Sequence, residues 1–190
     1  CYPTFVVGLL LSLLNWQIFR FSIVSAGGDR HLPAIIAVLA ILVPVLIAIA
    51  IIELVYRRTT YHQITHNGYF KMRMDAGLYG EYLIFKKLSF LEKSGGRFLF
   101  NAYLPTNHGE TTEVDVMAIT HHGLLVFESK NYSGWIFGGE QQADWTQTLP
   151  KGRDSQKNRF YNPLWQNRAH IHALADTLGW SPPMHSVVVF

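Results

Sequence analysis

Residues 113–131 read EVDVMAITHHGLLVFESKN, and this stretch decides the fold because it predicts two adjacent β-strands. Apolar residues surround each acidic position, and the His-Gly pair in the middle supplies a turn. Glu128 and Lys130 share one face of their strand, and a tight hairpin brings Asp115 next to them. Two carboxylates and an amine on an otherwise apolar sheet are costly to desolvate. A divalent-metal site with a lysine beside a water molecule explains their presence.

The same residues also have a purely structural interpretation, because a Glu-x-Lys triplet on an exposed strand often forms only an ion pair. In the chemical interpretation, Asp115 and Glu128 ligate one Mg²⁺, and the Ser129 carbonyl and water complete the oxygen shell. The metal would activate its bound water, and Lys130 would orient or deprotonate that water or stabilise the transition state. The triplet alone leaves both interpretations open.

The first 56 residues predict a membrane anchor. Residues 33–56 are almost entirely Ala, Ile, Leu and Val, and about twenty such residues cross a bilayer. Arg57-Arg58 follows, as expected for a cytoplasmic flank. Residues 4–24 form a weaker apolar run, so we expect a transmembrane helical hairpin in the cell membrane, with the C-terminal domain in the cytoplasm. A buried core helix for the second run and a signal peptide for the first are the alternatives.

The remaining chain predicts a linker over 57–75 and a compact α/β domain over 76–190. A helix carrying Glu81 precedes three strands, a short β excursion and a basic loop over 151–161. Asn162-Pro163 then opens a second helix, which carries Gln166. His170 lies one turn beyond Gln166 and is therefore placed to face the same site. The chain does not begin with Met and ends on an apolar strand, so we expect the domain to be truncated at its C-terminal end.

The net charge of +3 lies wholly after Tyr56, where 14 Lys and Arg face 11 Asp and Glu. A cluster of basic residues interleaved with aromatics suits a phosphate backbone and unstacked bases. A solvated loop with core aromatics fits this composition equally well. We expect Trp135 and Trp145 to be core residues, with platforms for base stacking as the alternative. The basic candidates for nucleic-acid binding are Lys151, Arg153, Lys157, Arg159 and Arg168.

Several separated motifs, in order, resemble the nuclease-related (NERD) domain over about residues 76–190. They are Gly80-Glu81, Glu113-Val114-Asp115, the run GLLVFESKNYSG over 123–134, Trp145, and Asn162-Pro163-Leu164-x-Gln166-Asn167. The resemblance implies a branch of the PD-(D/E)xK nuclease superfamily. It also implies a restriction-endonuclease-like α/β fold, in which helices flank a mixed β-sheet.

The resemblance also implies roles for five catalytic candidates. Asp115 takes the place of the motif aspartate, Glu128 and Lys130 form the Glu-x-Lys pair, and Glu81 and Gln166 are the acid and the glutamine of the two helices. Glu81 and Gln166 are also expected to contact metal or water.

We therefore expect a membrane-anchored endo- or exonuclease that hydrolyses phosphodiester bonds with Mg²⁺ or Mn²⁺ and prefers DNA to RNA. Two alternatives remain: a non-catalytic module of the same fold that binds nucleic acid or protein at the membrane, and a structural membrane protein. Cleavage of both strands would require a homodimer, for which no residue argues.

Overall fold

The computed structural model describes residues 31–106, 109–152 and 154–190, and the chain divides between Tyr56 and Arg57 into two compact units. In the first unit, the described residues form helix α1 (His31–Arg57), which contains Pro44. Its segment Ala34–Arg57 has a mean hydropathy of 3.4 and is long and apolar enough to cross a membrane or to serve as a signal sequence. The other half of the expected helical hairpin, residues 4–24, lies outside the described residues.

The second unit contains helices and two β-sheets. Its helices are α2 (Thr60–Thr65), α3 (Tyr69–Met74), α4 (Ala76–Leu88), a 3₁₀ helix (Ser89–Ser94) and α5 (Pro163–Leu178). Its strands are β1 (Arg97–Pro105), β2 (Thr111–Thr120), β3 (Gly123–Ser129), β4 (Trp135–Phe137), β5 (Asp144–Lys151), β6 (Asp154–Tyr161) and β7 (Met184–Val189).

The larger sheet has the order β1-β2-β3-β7 and is mixed. The pairs β1–β2 and β2–β3 are antiparallel, whereas β7 joins β3 in parallel after the α5 crossover. The smaller sheet, β4-β5-β6, is antiparallel throughout. A mixed α/β fold with helices and a mixed sheet, as the sequence predicts, is therefore confirmed.

Helices cover the two faces of the larger sheet. Alternate residues of β3 face opposite sides, so their contacts show which helix lies on which face. Val126 belongs to an apolar cluster that also contains Ala173 and Leu174 of α5. Phe127 and Ser129 instead line a cavity together with residues of α4. Glu128, two residues after Val126, consequently points toward α5.

The segment 57–75, predicted as a linker, forms α2 and α3 and contributes to the core. Thr59 caps α2 through a hydrogen bond from the His62 amide. Tyr61 is completely buried, and its ring contacts those of Phe85 and Phe100. The linker prediction was wrong because the apolar residues of this polar segment are too sparse to form a recognisable stripe, while one buried aromatic supplies the packing.

The basic loop predicted over 151–161 is instead strand β6, paired with β5 across a turn at Gly152, whose φ is +61°. The register runs from the Asp144–Tyr161 pair to the Lys151–Asp154 pair. β6 carries exposed polar side chains on both faces for most of its length, so it lacks the apolar–polar alternation by which strands are recognised. Backbone pairing with β5 defines it.

Helix α4 approaches β3 most closely at Gly80. A Cβ atom on this residue would lie 2.6 Å from Ser129 Oγ and 2.9 Å from Asn131 Cβ. Asn131 further fixes the contact by donating a hydrogen bond from Nδ2 to the Ala76 carbonyl, at 2.8 Å. A glycine at this position therefore permits the helix to lie directly against the strand end that carries Glu128 and Lys130.

We expect Gly80→Ala to lower the free energy of unfolding by about 1–3 kcal/mol, because the added methyl group overpacks this contact. Gly77→Ala is the matched control in the same helix, where the nearest atom is the flexible Asp75 carboxylate at 3.3 Å. There we expect a gain of up to about 1 kcal/mol from higher helix propensity. Urea denaturation of both variants measures the difference, and equal effects would contradict the tight packing of α4 on β3.

Candidate functional site

Glu128 is the most deeply buried charged side chain described, with 1% of its surface exposed. Its Oε1 lies 2.6 Å from Lys130 Nζ, and its Oε2 lies 3.0 Å from His170 Nε2. Lys130 also donates a hydrogen bond to Gln166 Oε1, at 3.1 Å. A carboxylate on β3 is thus held between a lysine that follows the same strand and a histidine on α5.

The start of α5 explains why this helix presents two residues to the site. Asn162 Oδ1 accepts hydrogen bonds from the Leu164 and Trp165 amides, and Pro163 occupies the first turn. The register set by this cap places Gln166 and His170 four residues apart, on the same helix face. Both side chains reach the Glu128–Lys130 pair from that face.

Asp115 extends from β2 toward the same strand end. Its Oδ2 accepts a hydrogen bond of 2.8 Å from the Ser129 amide. Among the described residues, none donates a hydrogen bond to its other oxygen, Oδ1. Burial, and next the negative charge of Glu128, raise the pKa of Asp115 to about 6, against the opposing effects of the Ser129 amide, Lys130 and His170. The carboxyl is therefore partly protonated near neutral pH.

The regular alternation of β1 is interrupted opposite Asp115. Phe100 contacts the rings of Tyr61 and Phe85, whereas Ala102 packs against the cluster that contains residues of α5. Residues two apart on a regular strand share a face, so the strand rotates between them. Asn101 lies at this point with a φ of +50°, in the left-handed region that residues other than glycine adopt uncommonly.

Glu81 on α4 approaches the acidic pair from the opposite side of the sheet. It is buried, its Oε1 accepts a hydrogen bond from Asn101 Nδ2 at 3.3 Å, and its Oε2 lies 3.1 Å from Tyr61 Oη. Burial raises the pKa of Glu81 to about 7. Hydrogen bonds from Tyr61 and Asn101 oppose this shift, and the charges of Asp115 and Glu113 add to it.

Tyr61 Oη also lies 3.1 Å from the Leu78 carbonyl oxygen and has a single hydrogen to donate. When Glu81 is ionised, that hydrogen serves the carboxylate. When Glu81 is protonated, the carboxyl can donate to Tyr61 Oη while Tyr61 donates to Leu78. The buried hydroxyl thus accommodates both charge states of the acid.

His170 is nearly fully buried and links Glu128 to β2. Its Nδ1 lies 2.8 Å from Thr112 Oγ1, while its Nε2 contacts Glu128. The Thr112 hydroxyl can donate or accept, so it matches either protonation state of the imidazole. In the sequence, the position of His170 one helical turn after Gln166 indicates that it faces the site.

The structure brings four of the five catalytic candidates into one connected set: Asp115, Glu128, Lys130 and Gln166. Glu81 joins them through its electrostatic interaction with Asp115 and its hydrogen bond to Asn101. Sequence reasoning missed Asn101 and Tyr61. Asn101 follows four residues of an ordinary strand pattern, and Tyr61 lies in the presumed linker, so neither carries a local signal.

The predicted nucleic-acid-binding residues lie on two different parts of the fold, and one of them is outside the described residues. Lys151, Lys157 and Arg159 are exposed on the β5–β6 hairpin, Arg168 is exposed on α5, and Arg153 lies outside the described residues. The core prediction for Trp135 was wrong, because this residue is 72% exposed. It lies on the three-residue strand β4, which has too few neighbours to cover both faces.

The donor set fits a hard divalent cation that keeps much of its water. The described residues contain no cluster of three or more His, Cys, Asp or Glu side chains with metal-binding geometry. Mg²⁺ needs only one or two protein carboxylates, however, and both acids retain acceptor capacity. Asp115 Oδ1 has no donor among the residues that the structure describes, and each Glu128 oxygen has a second lone pair beyond its present contact.

Comparison with known proteins gives one family and one curated relative. The NERD family (nuclease-related domain) matches residues 76–190. An uncharacterized protein of Bacillus anthracis is 38% identical over 114 residues, which cover 60% of this chain and 52% of that protein. The chain therefore spans about half the length of this relative. No solved structure matches.

The raised pKa of Glu81 predicts a pH-dependent stability. Between the unfolded value of 4.5 and the folded value of about 7, the folded state holds a proton that the unfolded state has lost. Stability from this group is thus complete below pH 4.5 and is lost as the pH rises to about 7. Solvent near the site screens the charge, so we expect a loss on the order of 2 kcal/mol.

Glu81→Gln should remove this loss, since an amide mimics the protonated carboxyl and keeps partners for Tyr61 and Asn101. The free energy of unfolding, measured by urea denaturation at pH 5 and pH 8, should fall less in this variant than in the wild type. Glu140→Gln, at an exposed acid, is the control and should follow the wild type. Parallel pH profiles for Glu81→Gln and the wild type would contradict a protonated Glu81.

Proposed function

The chain belongs to the NERD family over residues 76–190, and from this premise we propose that it is a metal-dependent nuclease hydrolysing nucleic-acid phosphodiester bonds. One observation carries the proposal. Asp115 and Glu128 converge at the end of β3, beside a lysine amine held by Glu128 and Gln166. This arrangement corresponds to the acid and Glu-x-Lys elements of the PD-(D/E)xK nucleases, to which we assign the domain.

In this proposal Asp115, Glu128 and the Ser129 carbonyl would hold one divalent ion. Mg²⁺ or Mn²⁺ would lower the pKa of a bound water and offset charge on the phosphate. Asp115 presents an oxygen with no donor in the described part of the chain, and the Ser129 amide fixes the orientation of the carboxyl group. Glu128 lies between Lys130 and His170, which contact one carboxylate oxygen each.

In this proposal, Lys130 provides the positively charged side chain next to the phosphate that is cleaved. Its side chain is 17% exposed, so the amine is accessible from solvent although it contacts a buried acid. Gln166 accepts one of its three hydrogens and thereby fixes the direction of the amine. The remaining hydrogens are directed to Glu128 and to the attacking water or a phosphate oxygen. Lys130 is thus both the orienting group and an electrostatic stabiliser.

Helix α1 supports a membrane location for this activity. Its length and hydropathy fit a bilayer span, and Arg57 with Arg58 at its C-terminal side favours a cytoplasmic domain. The anchor would confine the nuclease to nucleic acid near the inner surface of the cell membrane. DNA is the favoured substrate.

We expect Asp115→Asn, Glu128→Gln and Lys130→Ala each to reduce cleavage by about 10²-fold or more, since each removes a group from the reacting centre. The assay uses the full chain in detergent with labelled DNA and RNA, in single- and double-stranded form, with Mg²⁺ or Mn²⁺. Glu110→Gln, at an exposed acid outside the site, should cleave normally. If the wild-type protein cleaves none of these substrates, the nuclease proposal is wrong, and a binding module that does not cleave is favoured.

Metal binding can be measured separately from cleavage by calorimetric titration of Mg²⁺ and Mn²⁺. Asp115→Ala and Glu128→Ala should abolish binding, because each removes a proposed ligand. Gln166→Ala should retain binding while losing activity, because Gln166 contacts Lys130 and neither acid. Binding that survives loss of both acids would place the metal elsewhere.

A further inference from the structure

The smaller sheet has one exposed face on which aromatic and basic side chains are in register. Two rows of residues cross its three strands, Trp135–Thr148–Lys157 and Phe137–Thr146–Arg159. Because residues two apart on a strand share a face, the two rows lie side by side. These six residues are termed the aromatic–basic face.

The exposure of the two aromatics is specific to this face. On the opposite face, Trp145 stacks on Phe190 with ring centroids 6.0 Å apart, and Phe160 contacts Tyr132 at 4.9 Å. That face is therefore packed against the rest of the domain. Trp135 and Phe137 are 72% and 58% exposed, which leaves two large rings available to a ligand.

The composition of the face matches single-stranded nucleic acid. Aromatic rings stack on unpaired bases without regard to sequence, and Lys or Arg side chains neutralise the adjacent phosphates. A duplex keeps its bases stacked on each other, so its bases cannot reach the rings. Lys157 and Arg159 are the charges within the two rows, and the acidic Asp144 lies at the edge, opposite Tyr161. The rows therefore favour a polyanion.

The chain joins this face to the candidate site at both ends. Four residues, 131–134, separate Lys130 from the start of β4 at Trp135. At the other end, β6 finishes at Tyr161, directly before the Asn162 cap of the helix that carries Gln166. Asn162 Nδ2 further donates hydrogen bonds to the Glu140 and Gln142 carbonyls in the β4–β5 connection. The smaller sheet is thus fixed to the elements that hold the lysine.

We propose that the aromatic–basic face binds single-stranded nucleic acid, with unpaired bases stacked on Trp135 and Phe137 and phosphates paired with Lys157 and Arg159. This inference deepens the proposed function. It rests on that function in one respect, which is that the strand bound by this face is the substrate of the candidate functional site. Binding itself requires neither the metal nor cleavage. The substrate class is then a strand with unpaired bases.

The test is binding of the full chain in detergent to labelled oligothymidylate, measured by fluorescence anisotropy in EDTA. Oligothymidylate should bind about tenfold more tightly than its duplex with oligoadenylate. Trp135→Ala and Phe137→Ala should each weaken single-strand binding by about tenfold. Trp180→Ala is the matched control, because Trp180 is similarly exposed, at 64%, and lies after α5. It should bind as the wild type does.

Replacing both Lys157 and Arg159 with Gln should lower the slope of log affinity against log salt by about 1.4, or about 0.7 per lost phosphate contact. Equal affinity for single strand and duplex, or equal behaviour of Trp135→Ala and Trp180→Ala, would overturn the proposal. The proposal would also be overturned if Trp135→Ala weakened binding to anionic phosphatidylserine vesicles and left binding to oligothymidylate unchanged. That result would identify a membrane contact. Absence of cleavage combined with the expected binding would overturn the nuclease alone.

Discussion

The buried charge of Glu128 is the constraint on which the arrangement of this domain depends. A carboxylate with 1% exposure is tolerated only when its charge is compensated, and here Lys130 and His170 contact one oxygen each. Because His170 comes from α5, compensation requires the helix to lie on this face of the larger sheet. The Asn162 cap sets the register of that helix and so aligns Gln166 with the same lysine. Removing Lys130 would leave Glu128 without the ammonium group that compensates its charge in the core.

A second dependence connects the two faces of the sheet through Asn101. Its left-handed conformation coincides with the change of face in β1, and its side chain donates a hydrogen bond to Glu81 on the α4 side. Glu81 is held from the other direction by Tyr61, which lies before the family match. Helix α2 therefore belongs physically to the domain that contains the site. A domain boundary drawn at residue 76 would remove a buried partner of Glu81.

Local patterns in the sequence predict the parts of this structure that local physics determines. The strands flanking the turn at Gly123 are apolar runs around the acidic positions, and Asn162-Pro163 is a strong helix start, so both were found. Strand β6 was missed because its exposed faces carry no alternation, and Tyr61 because one buried aromatic makes no pattern. The contact between His170 and Glu128 joins residues 42 positions apart. Spacing on the helix indicates the direction of His170, but only the packed fold supplies its partner.

The charge balance of the site favours the divalent cation proposed for it. Three acids approach one another, while Lys130 also contacts Gln166 and His170 also contacts Thr112. Burial, with the neighbouring acids adding to it, raises the pKa of Asp115 to about 6 and that of Glu81 to about 7. Protons therefore occupy the site in the absence of a stronger cation, and a divalent ion would have to displace them. Because the ionised form of Asp115 prevails above pH 6, this carboxylate becomes more available to the proposed ion as the pH rises through that value.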